Sequence, residues 1–425
     1  MRLLDSRFAY TTLLWLLLPY VFFHLWWRSR KQPEYLDHVA ERFGRYTVKA
    51  DKPVIWLHTV SVGETRAAAT LVRNLRAQYP QHQILLTHTT PTGRAASEQL
   101  YGDEVIRVYL PYDYPFAVQR FLDHFKPKVG VLLETEIWFN LIHRCKASNI
   151  PLLLLNARLS EKSYAKYARF PHLAHEGLHD LNLIAAQTDE DAQRLAELCG
   201  HAVPTMGNLK FDIEPPAVML SLGTRLRGLF GQRPVFLAAS TREGEEELLL
   251  NALQGIADMG VLTVIVPRHP QRFDEVANLI ERHGFRLQRR SANETVSSKT
   301  QIVLGDSMGE MFAYYASCDI AFIGGSLLPF GGQNLIEACS VGKPVLIGPH
   351  TYNFAQATQL GIASGAVIQV SDAHDLAQQL SLLWANDARK EQMAQNGSHF
   401  VRENQGATKR ALKYIEVSLG KRITL

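Results

Sequence analysis

The stretch VIWLHTVSVGETRAAAT, residues 54–70, decides the fold. An apolar run leads into the polar turn Ser61-Val62-Gly63-Glu64, and residues that favour a helix follow. An uninterrupted apolar run of this length is typical of a strand in a parallel sheet with helices on both faces. A second stretch, VFLAASTREGEEELLL at residues 235–250, repeats the order of strand, turn and helix. The two stretches predict two α/β domains that begin alike.

Short apolar runs alternate with amphipathic stretches around both segments. The predicted strands of the first half are 54–59, 83–87, 105–110, 129–134, 152–156 and 183–187. Those of the second half are 235–240, 261–267, 301–305, 320–324, 344–348 and 366–370. Between them Glu214-Pro215-Pro216 interrupts the pattern, because proline neither continues a helix nor fits a central strand. We therefore predict two doubly wound, Rossmann-like domains, residues 32–212 and 233–425, joined by a linker at 213–232 and facing a cleft.

Length and composition allow this arrangement and exclude other classes of protein. The 425 residues suffice for two or three domains, at roughly 100–200 residues each. A content of 46% hydrophobic and 20% charged residues excludes a disordered or collagen-like chain. The net charge of +4 is too small to indicate nucleic acid as a partner. The cysteines, at positions 145, 199, 318 and 339, have no metal-binding spacing, which predicts reduced thiols in a cytosolic compartment.

The N-terminal region is apolar, since residues 8–27 contain no Lys, Arg, Asp or Glu. As one helix this segment would reach roughly 30 Å, the thickness of a bilayer's hydrocarbon core. Basic residues follow it: Arg28, Arg30 and Lys31. We predict an uncleaved membrane anchor at residues 1–31, with the remaining chain on the cytoplasmic side. Because Pro19 and His24 interrupt the run, a helix lying on the membrane is an alternative, as is a packed helix of a soluble domain.

The segment around Ala40-Glu41-Arg42-Phe43-Gly44, between this anchor and the first strand, is rich in basic residues. A surplus of positive charge beside an anchor is consistent with an anionic membrane surface or an anionic lipid head group. A solvated linker is the alternative interpretation.

Glycine-rich turns follow one predicted strand of the second half. Gly324-Gly325-Ser326 comes directly after the strand, and Gly331-Gly332-Gln333-Asn334 leads into the helical sequence Leu335-Ile336-Glu337. Glycines let a backbone approach a ligand closely, and N–H groups at a helix start attract phosphate. Glu337 is placed to accept hydrogen bonds from a ribose. The alternative is a plain glycine turn followed by a solvent-facing glutamate.

Two other turns of the second half carry charged residues. Pro267-Arg268-His269-Pro270-Gln271-Arg272 ends a predicted strand, and arginine suits bidentate contacts with phosphate or carboxylate. Met308-Gly309-Glu310 opens a helix, and taken alone it is interpreted as an ordinary capping turn. Solvated loop charges are the alternative for the arginines. Because these turns follow strands of one sheet, we expect them to meet at one edge.

The first half offers two carboxylates at strand ends and one lysine. Glu64 begins the helix after the first strand, where the helix dipole favours an ionised carboxylate able to accept a proton. Glu134 lies where an apolar strand ends, and Lys210 is placed to face an anionic substrate. A helix cap, an ordinary paired carboxylate and a surface ion pair are the respective alternatives. Asp189-Glu190-Asp191 matches a D-x-D metal pattern, but after Thr188 it is interpreted as an acidic first helical turn.

An ordered set of motifs along nearly the whole chain resembles the Kdo transferases, which move 3-deoxy-D-manno-octulosonic acid (Kdo) from CMP-Kdo onto lipid A precursors. The motifs of the first half are HTVSVGE (58–64), YLPYD (109–113), ETEIW (134–138), NARLS (156–160) and GNLKFD (207–212). Those of the second half are VPRHP (266–270), GDSMGE (305–310) and GGQNLIE (331–337). Each motif is weak alone, whereas the set in this order is specific.

The resemblance implies a GT-B glycosyltransferase fold and an inverting transfer of Kdo to a lipid A precursor (lipid IVA) in lipopolysaccharide biosynthesis, without an obligatory metal or other cofactor. It implies that Glu64 is the general base and that Glu134 and Lys210 stabilise the transition state. The implied CMP-binding residues are Pro267, Arg268, Met308, Gly309, Glu310, Asn334, Leu335, Ile336 and Glu337. The implied location is the bacterial inner membrane, with the catalytic domains on its cytoplasmic face.

Two other hypotheses stay open at this point. One is another GT-B sugar-nucleotide enzyme, such as a UDP-sugar epimerase or an N-acetylglucosaminyl transferase. The other is a membrane-anchored binding protein with a degenerate site.

Overall fold

The computed structural model describes residues 5–254 and 260–420, which separate into two compact units. The first unit holds the described residues up to Asp212 together with those from Asn404 onward, and the second unit is Ile213–Glu403. Each unit contains its own parallel sheet.

The first unit is built on a six-stranded sheet in the order β3-β2-β1-β4-β5-β6. Its strands are β1 Val54–His58, β2 Gln83–His88, β3 Ile106–Tyr109, β4 Val129–Leu133, β5 Leu152–Ala157 and β6 Leu183–Ala186. Neighbouring strands pair in parallel, with Ile55 of β1 opposite both Ile84 and Val129. Alternate residues of β1 enter different cores: Trp56 packs into one, whereas Ile55 and Leu57 pack into the other. The sheet is therefore covered on both faces, as the uninterrupted apolar strands predict.

Helices of the first unit precede, connect and follow these strands. They are α1 Arg7–Leu16, α2 Leu18–Ser29, α3 Val62–Ala67, α4 Ala69–Gln78, α5 Pro91–Tyr101, α6 Pro115–Phe125, α7 Phe139–Ala147, α8 Glu161–Tyr167, α9 Pro171–His179 and α10 Asp189–Cys199. Single 3-10 turns lie at Pro33–Leu36, Glu41–Phe43, Gly102–Glu104 and Leu209–Phe211.

The N-terminal apolar region is a bent pair of helices. No single helix in the described ranges is long and apolar enough to cross a membrane, and α1 and α2 meet that requirement only together, across a bend of 53°. The single helix predicted for residues 8–27 is therefore wrong. Pro19 explains the break, because proline lacks the N–H that a continuing helix would use and its ring clashes with the preceding turn.

The helix pair is attached to the first unit by polar and aromatic contacts. The Tyr10 hydroxyl donates to Asp113 Oδ2 at 2.9 Å, and the Phe22 ring stacks 5.3 Å from that of Phe43. Large apolar side chains of the pair remain exposed: Phe8, Leu13, Trp15, Leu16, Leu17, Tyr20, Phe22, Phe23, Trp26 and Trp27. The pair thus contacts the body of the unit, with Leu25 of α2 buried and no residue of α1 buried, and leaves many apolar groups uncovered.

The second unit is built on a seven-stranded parallel sheet in the order β13-β12-β11-β7-β8-β10-β9. Its strands are β7 Val235–Thr241, β8 Leu262–Pro267, β9 Leu287–Arg289, β10 Ile302–Leu304, β11 Ile320–Ile323, β12 Val345–Ile347 and β13 Val367–Gln369. Its helices are α11 Ala217–Phe230, α12 Glu245–Gln254, α13 Phe273–Arg282, α14 Met311–Ser317, α15 Leu335–Ser340, α16 Ala355–Ala363, α17 Ala373–Trp384 and α18 Asp387–Glu403, with 3-10 turns at Pro270–Arg272 and Arg290–Ala292.

The structure confirms all twelve predicted strands, with ends that differ by one or two residues, and adds β9. Sequence reasoning missed β9 because it is a three-residue edge strand whose side chains are all partly exposed. The four cysteines are free and buried, as predicted.

The domain bounds differ from those predicted at two places. Most of the segment assigned to a linker, 213–232, is helix α11, whose Arg227 pairs with Asp319 inside the second unit. The last helix, α19 Ala407–Ser418, belongs to the first unit, where Ala411 and Ile415 enter the core beneath β1. Apolar residues at helical spacing in α19 carry no information about which sheet they cover, so sequence order alone assigned it to the wrong unit.

Candidate active site

Glu64 and Glu134 lie at the point of the first sheet where the strand order reverses. β1 and β4 are neighbours there, while the chain between them runs through β2 and β3 on the other side. Loops that follow strands at such a point form the usual ligand crevice of a doubly wound sheet. The structure thus brings together the two carboxylates predicted from separate strand ends.

Glu64 is part of a capping box at the start of α3. The Ser61 hydroxyl donates to Glu64 Oε1 at 2.8 Å, and the Glu64 N–H donates back to Ser61 Oγ at 3.3 Å. The Val60 N–H donates to the other carboxylate oxygen at 2.7 Å. The structural alternative for Glu64, a helix cap, is therefore real. It does not exclude a role as base, because a carboxylate oxygen that accepts one hydrogen bond keeps a second lone pair.

The pKa of Glu64 is raised above its ordinary value, chiefly by burial and then by the negative charge of Glu134. Hydrogen bonds from Val60 and Ser61 and the nearby His58 act in the opposite direction. Because a raised pKa strengthens a carboxylate as a proton acceptor near neutral pH, the environment of Glu64 favours general-base chemistry.

Glu134 and Lys210 form an ion pair, with Nζ 3.2 Å from Oε1 and both side chains about one-fifth exposed. The backbone of Glu134 has a φ of +62°. Left-handed backbone at a non-glycine residue costs about 1–3 kcal/mol and is concentrated at functional sites. The pair thus combines an unfavourable backbone conformation with opposite charges held close together beside Glu64.

Lys210 is held in place by amide side chains that sequence reasoning did not single out. Asn156 Oδ1 accepts the Leu209 N–H at 3.0 Å, and Asn208 Oδ1 accepts the Lys210 N–H at 3.0 Å. Gln187 connects the two asparagines through bonds of 3.0 Å to the Asn156 carbonyl and the Asn208 amide. Asn156 and Asn208 lie within recognised motifs, whereas nothing in the sequence around Gln187 marks it.

A second group missed from the sequence lies at the same strand ends. His58, the last residue of β1, is fully buried, and its Nε2 is 3.6 Å from Glu136 Oε2. Trp138 Nε1 donates to the same oxygen of Glu136 at 2.7 Å. These contacts fix the segment after β4, which carries Glu134.

In the second unit, the equivalent reversal point lies between β7 and β11, and Glu245 organises it. Glu245 has no exposed surface, and its carboxylate accepts backbone N–H groups from Arg242, Gly325, Ser326 and Leu327 at 2.5–2.9 Å. Gly324 permits this approach, because a Cβ there would lie 2.7 Å from the Ser240 carbonyl oxygen. The glycine-rich turn after β11 is therefore built around a buried carboxylate.

Helix α14 lies beside the predicted CMP-binding residues. Burial raises the pKa of Tyr315; the charge of Glu337 raises it further, whereas that of Arg268 lowers it, so both charges act on this tyrosine. Its neighbour Tyr314 hydrogen-bonds Ser307 at 2.6 Å, and the Ser307 hydroxyl also bonds Glu310. The turns that carry these residues follow β8, β10 and β11, which belong to one parallel sheet, so all three lie at its carboxyl edge.

The individual CMP-binding candidates differ in exposure. Pro267 ends β8 and is buried, Arg268 is half-buried, and Met308 is exposed beside Gly309, whose φ is +79°. Leu335 and Ile336 are fully buried, so only their backbone is available to a ligand. Asn334 caps α15 through the Ile336 N–H at 3.1 Å and donates to Glu337 Oε1 at 3.1 Å.

The structure also addresses the D-x-D pattern. Thr188 caps α10 by accepting the Asp191 N–H, which confirms the interpretation of Asp189-Glu190-Asp191 as a first helical turn. Across residues 5–254 and 260–420, no group of three or more His, Cys, Asp or Glu side chains is arranged to hold a metal ion. The expectation that no metal is required stays a prediction.

Comparisons with known proteins identify the family. Residues 37–213 match the family described as 3-deoxy-D-manno-octulosonic-acid transferase (kdotransferase), and residues 281–400 match glycosyl transferases group 1. A Bordetella pertussis protein named 3-deoxy-D-manno-octulosonic acid transferase is 39% identical over 430 residues, which cover 98% of this chain and 100% of the relative. A Haemophilus influenzae protein of the same name is 37% identical over 426 residues, with the same coverage.

The fold agrees with this assignment. The crystal structure of a glycosyltransferase from Rickettsia africae matches with a TM-score of 0.58 at 15% identity, over 88% of this chain and 100% of that chain. At that identity the likeness shows the fold alone, two Rossmann-like domains of the GT-B type. With relatives of 37–39% identity over nearly the whole chain, the protein belongs to the 3-deoxy-D-manno-octulosonic acid transferases, a family of glycosyltransferases.

Proposed function

We propose that this protein transfers Kdo from CMP-Kdo to a lipid A precursor, lipid IVA, with inversion, in lipopolysaccharide biosynthesis. The observation that carries the proposal is the group of Glu64, Glu134 and Lys210 at the reversal point of the first sheet. A carboxylate with a raised pKa beside a cation suits the deprotonation of a hydroxyl during attack on an anomeric carbon.

In this reaction the acceptor hydroxyl forms a bond to the anomeric carbon of Kdo, and the bond from that carbon to the phosphate oxygen of CMP breaks. Glu64 receives the hydroxyl proton. Lys210 and Glu134 stabilise the charges that develop, since preorganised charges act most strongly where solvent is largely excluded.

The second unit is proposed to bind CMP-Kdo. Arg268 would neutralise the phosphate, Glu337 would accept hydrogen bonds from the ribose, and the turns at Pro267, Met308–Glu310 and Asn334–Ile336 would supply backbone contacts. Stabilisation of the departing phosphate by Arg268 requires no metal ion, which supports the prediction that the enzyme works without one.

The helix pair α1–α2 is proposed to hold the enzyme at the cytoplasmic face of the bacterial inner membrane. The exposed apolar side chains of the pair and the basic residues after Trp27 support this location. Attachment to the membrane would bring the enzyme to its acceptor, because a lipid acceptor itself resides in the membrane.

Incubation of the purified protein with CMP-Kdo and tetraacylated lipid A precursor, followed by product masses, tests the proposal. We expect a mass increase by one or more Kdo units and release of CMP. Thermal stabilisation by UDP but not by CMP, with no Kdo product, would contradict it and favour another GT-B sugar-nucleotide enzyme.

A further inference from the structure

Arg42, a buried arginine that forms no ion pair with another described residue, lies between the helix pair and Glu64. Arg42 is only 3% exposed, and its Nη1 donates to the Thr89 carbonyl at 3.1 Å. Its Cζ lies 4.0 Å from the centroid of the Tyr109 ring. Within the described ranges, its Nε and Nη2 are buried and have no hydrogen-bond partner. A buried cation with unsatisfied donors is unfavourable unless an anion completes it.

The adjacent acid does not compensate Arg42, because another arginine uses it. Glu41 Oε2 lies 2.7 Å from Arg94 Nη1 and also accepts the Tyr109 N–H at 2.7 Å. The Arg94 guanidinium lies 5.0 Å from the same Tyr109 ring. Two guanidinium groups and the Glu41 carboxylate therefore surround this tyrosine, and the charge of Asp37 also acts on it.

This cluster is connected to the base by a short series of hydrogen bonds. Thr89, which accepts from Arg42, precedes Thr90, the cap of α5. The Thr90 hydroxyl donates to the Val60 carbonyl at 2.8 Å, and the Val60 N–H donates to Glu64. The residues at the start of α5 thus lie between Arg42 and the turn that carries Glu64.

On its other side, the cluster adjoins the helix pair. Phe43 follows Arg42 in the chain and stacks on Phe22 of α2. Its ring also lies 5.6 Å from that of Tyr112, whose N–H donates to the Arg42 carbonyl at 2.9 Å. A lipid held at the apolar surface of α1–α2 would therefore present its polar head next to Arg42.

We propose that Arg42 and Arg94 bind a phosphate monoester on the lipid acceptor and so position the acceptor hydroxyl at Glu64. The inference rests on the proposed function, whose acceptor site it defines. Two guanidinium groups match the oxygens of a phosphate, and the N-terminus of the eleven-residue helix α5 adds a favourable dipole. His38, a half-exposed side chain 3.5 Å from Glu41 and packed near Tyr109, borders this cluster.

Binding of the full-length protein to two lipids in detergent micelles tests the assignment. The lipids are the phosphorylated lipid A precursor and its phosphatase-treated counterpart. We expect Arg42→Gln to weaken binding of the phosphorylated lipid roughly 10- to 100-fold and to leave the dephosphorylated lipid unaffected. Arg45→Gln is the matched control, because Arg45 is exposed three residues away and its loss removes the same charge.

A second variant distinguishes a loss of lipid binding from a loss of folding. If Arg42→Gln fails to fold, Arg94→Gln, at a side chain that is 20% exposed, makes the same comparison. Equal weakening for both lipids, or none, would overturn the proposal. Competition by inorganic phosphate without discrimination between the lipids would overturn the assignment to the acceptor.

Product masses measured in parallel keep the two proposals distinct. Transfer by the wild type together with loss of lipid discrimination in Arg42→Gln supports both. Transfer without discrimination contradicts only the phosphate site, whereas discrimination without transfer contradicts only the reaction.

Discussion

The two units begin with the same arrangement of strand, turn and helix, and in both a glutamate lies at the start of the helix. The two glutamates differ in exposure and in the groups that donate hydrogen bonds to them. Glu64 is partly exposed, and among the described residues its carboxylate bonds within its own turn, to Val60 and Ser61. Glu245 is fully buried and accepts four N–H groups, three of them from a loop about 80 residues away. The number and origin of the donors distinguish a carboxylate that caps its own turn from one that holds a distant loop.

This comparison predicts its largest effect on catalysis at Glu64. Glutamine at the third helical position also forms a capping box, so Glu64→Gln keeps the turn and removes only the basicity. We expect Kdo transfer to fall roughly 10²- to 10⁴-fold, the usual contribution of a general base. Initial rates with CMP-Kdo and the lipid acceptor measure the loss, and the protection of the variant by CMP against thermal unfolding should match the wild type. Transfer at a near-normal rate would show that Glu64 is a cap and not the base.

Glu245→Ala is expected to act on stability instead. Its removal leaves four buried N–H groups without acceptors, which should destabilise the second unit by about 3–5 kcal/mol. Denaturant unfolding measures this cost, and amide exchange at Gly325, Ser326 and Leu327 should quicken. Glu243→Ala, at a side chain that is 53% exposed, is the control and should change stability by about 0.5 kcal/mol or less. If the two variants unfold alike, the loop does not depend on Glu245.

Asp212 is a third carboxylate, and its exposure lies between that of Glu64, which is partly exposed, and that of Glu245, which is fully buried. It is 9% exposed and accepts the Gly406 N–H at 2.6 Å and the Thr408 N–H, both at the start of α19. With two donors in place of four, Asp212→Ala should cost about 1.5–3 kcal/mol. The measurement is faster amide exchange throughout α19, while exchange in α12 stays unchanged. Unaltered protection of α19 would mean that its apolar face alone holds it on the sheet.

These carboxylates also mark the limit of what the sequence predicts. The strands could be predicted because each is a local apolar run, and Glu64 and Glu134 because each follows such a run. The role of Glu245 and the placement of α19 depend on partners about 80 and 194 residues away in the chain, to which no local pattern refers. The basic segment around Arg42 could be recognised in the sequence, but its meeting with Arg94 and Tyr109 could not, since these residues lie 53 and 68 positions from Glu41.

The smallest expected effect is a change in pH dependence at the first site. The charge of Glu134 raises the pKa of Glu64, after the larger effect of burial. A base works only when it is deprotonated, so kcat/KM falls as the pH drops through the pKa of Glu64. Glu134→Gln removes the negative charge and leaves a side chain of similar size; the pKa of Glu64 decreases, and the acid limb of the profile moves to lower pH. Glu243→Gln, in the second unit, serves as the control and should leave the limb in place. If Glu134→Gln also leaves the acid limb in place, the limb reports the titration of a group other than Glu64, or the charge of Glu134 does not raise the pKa of Glu64.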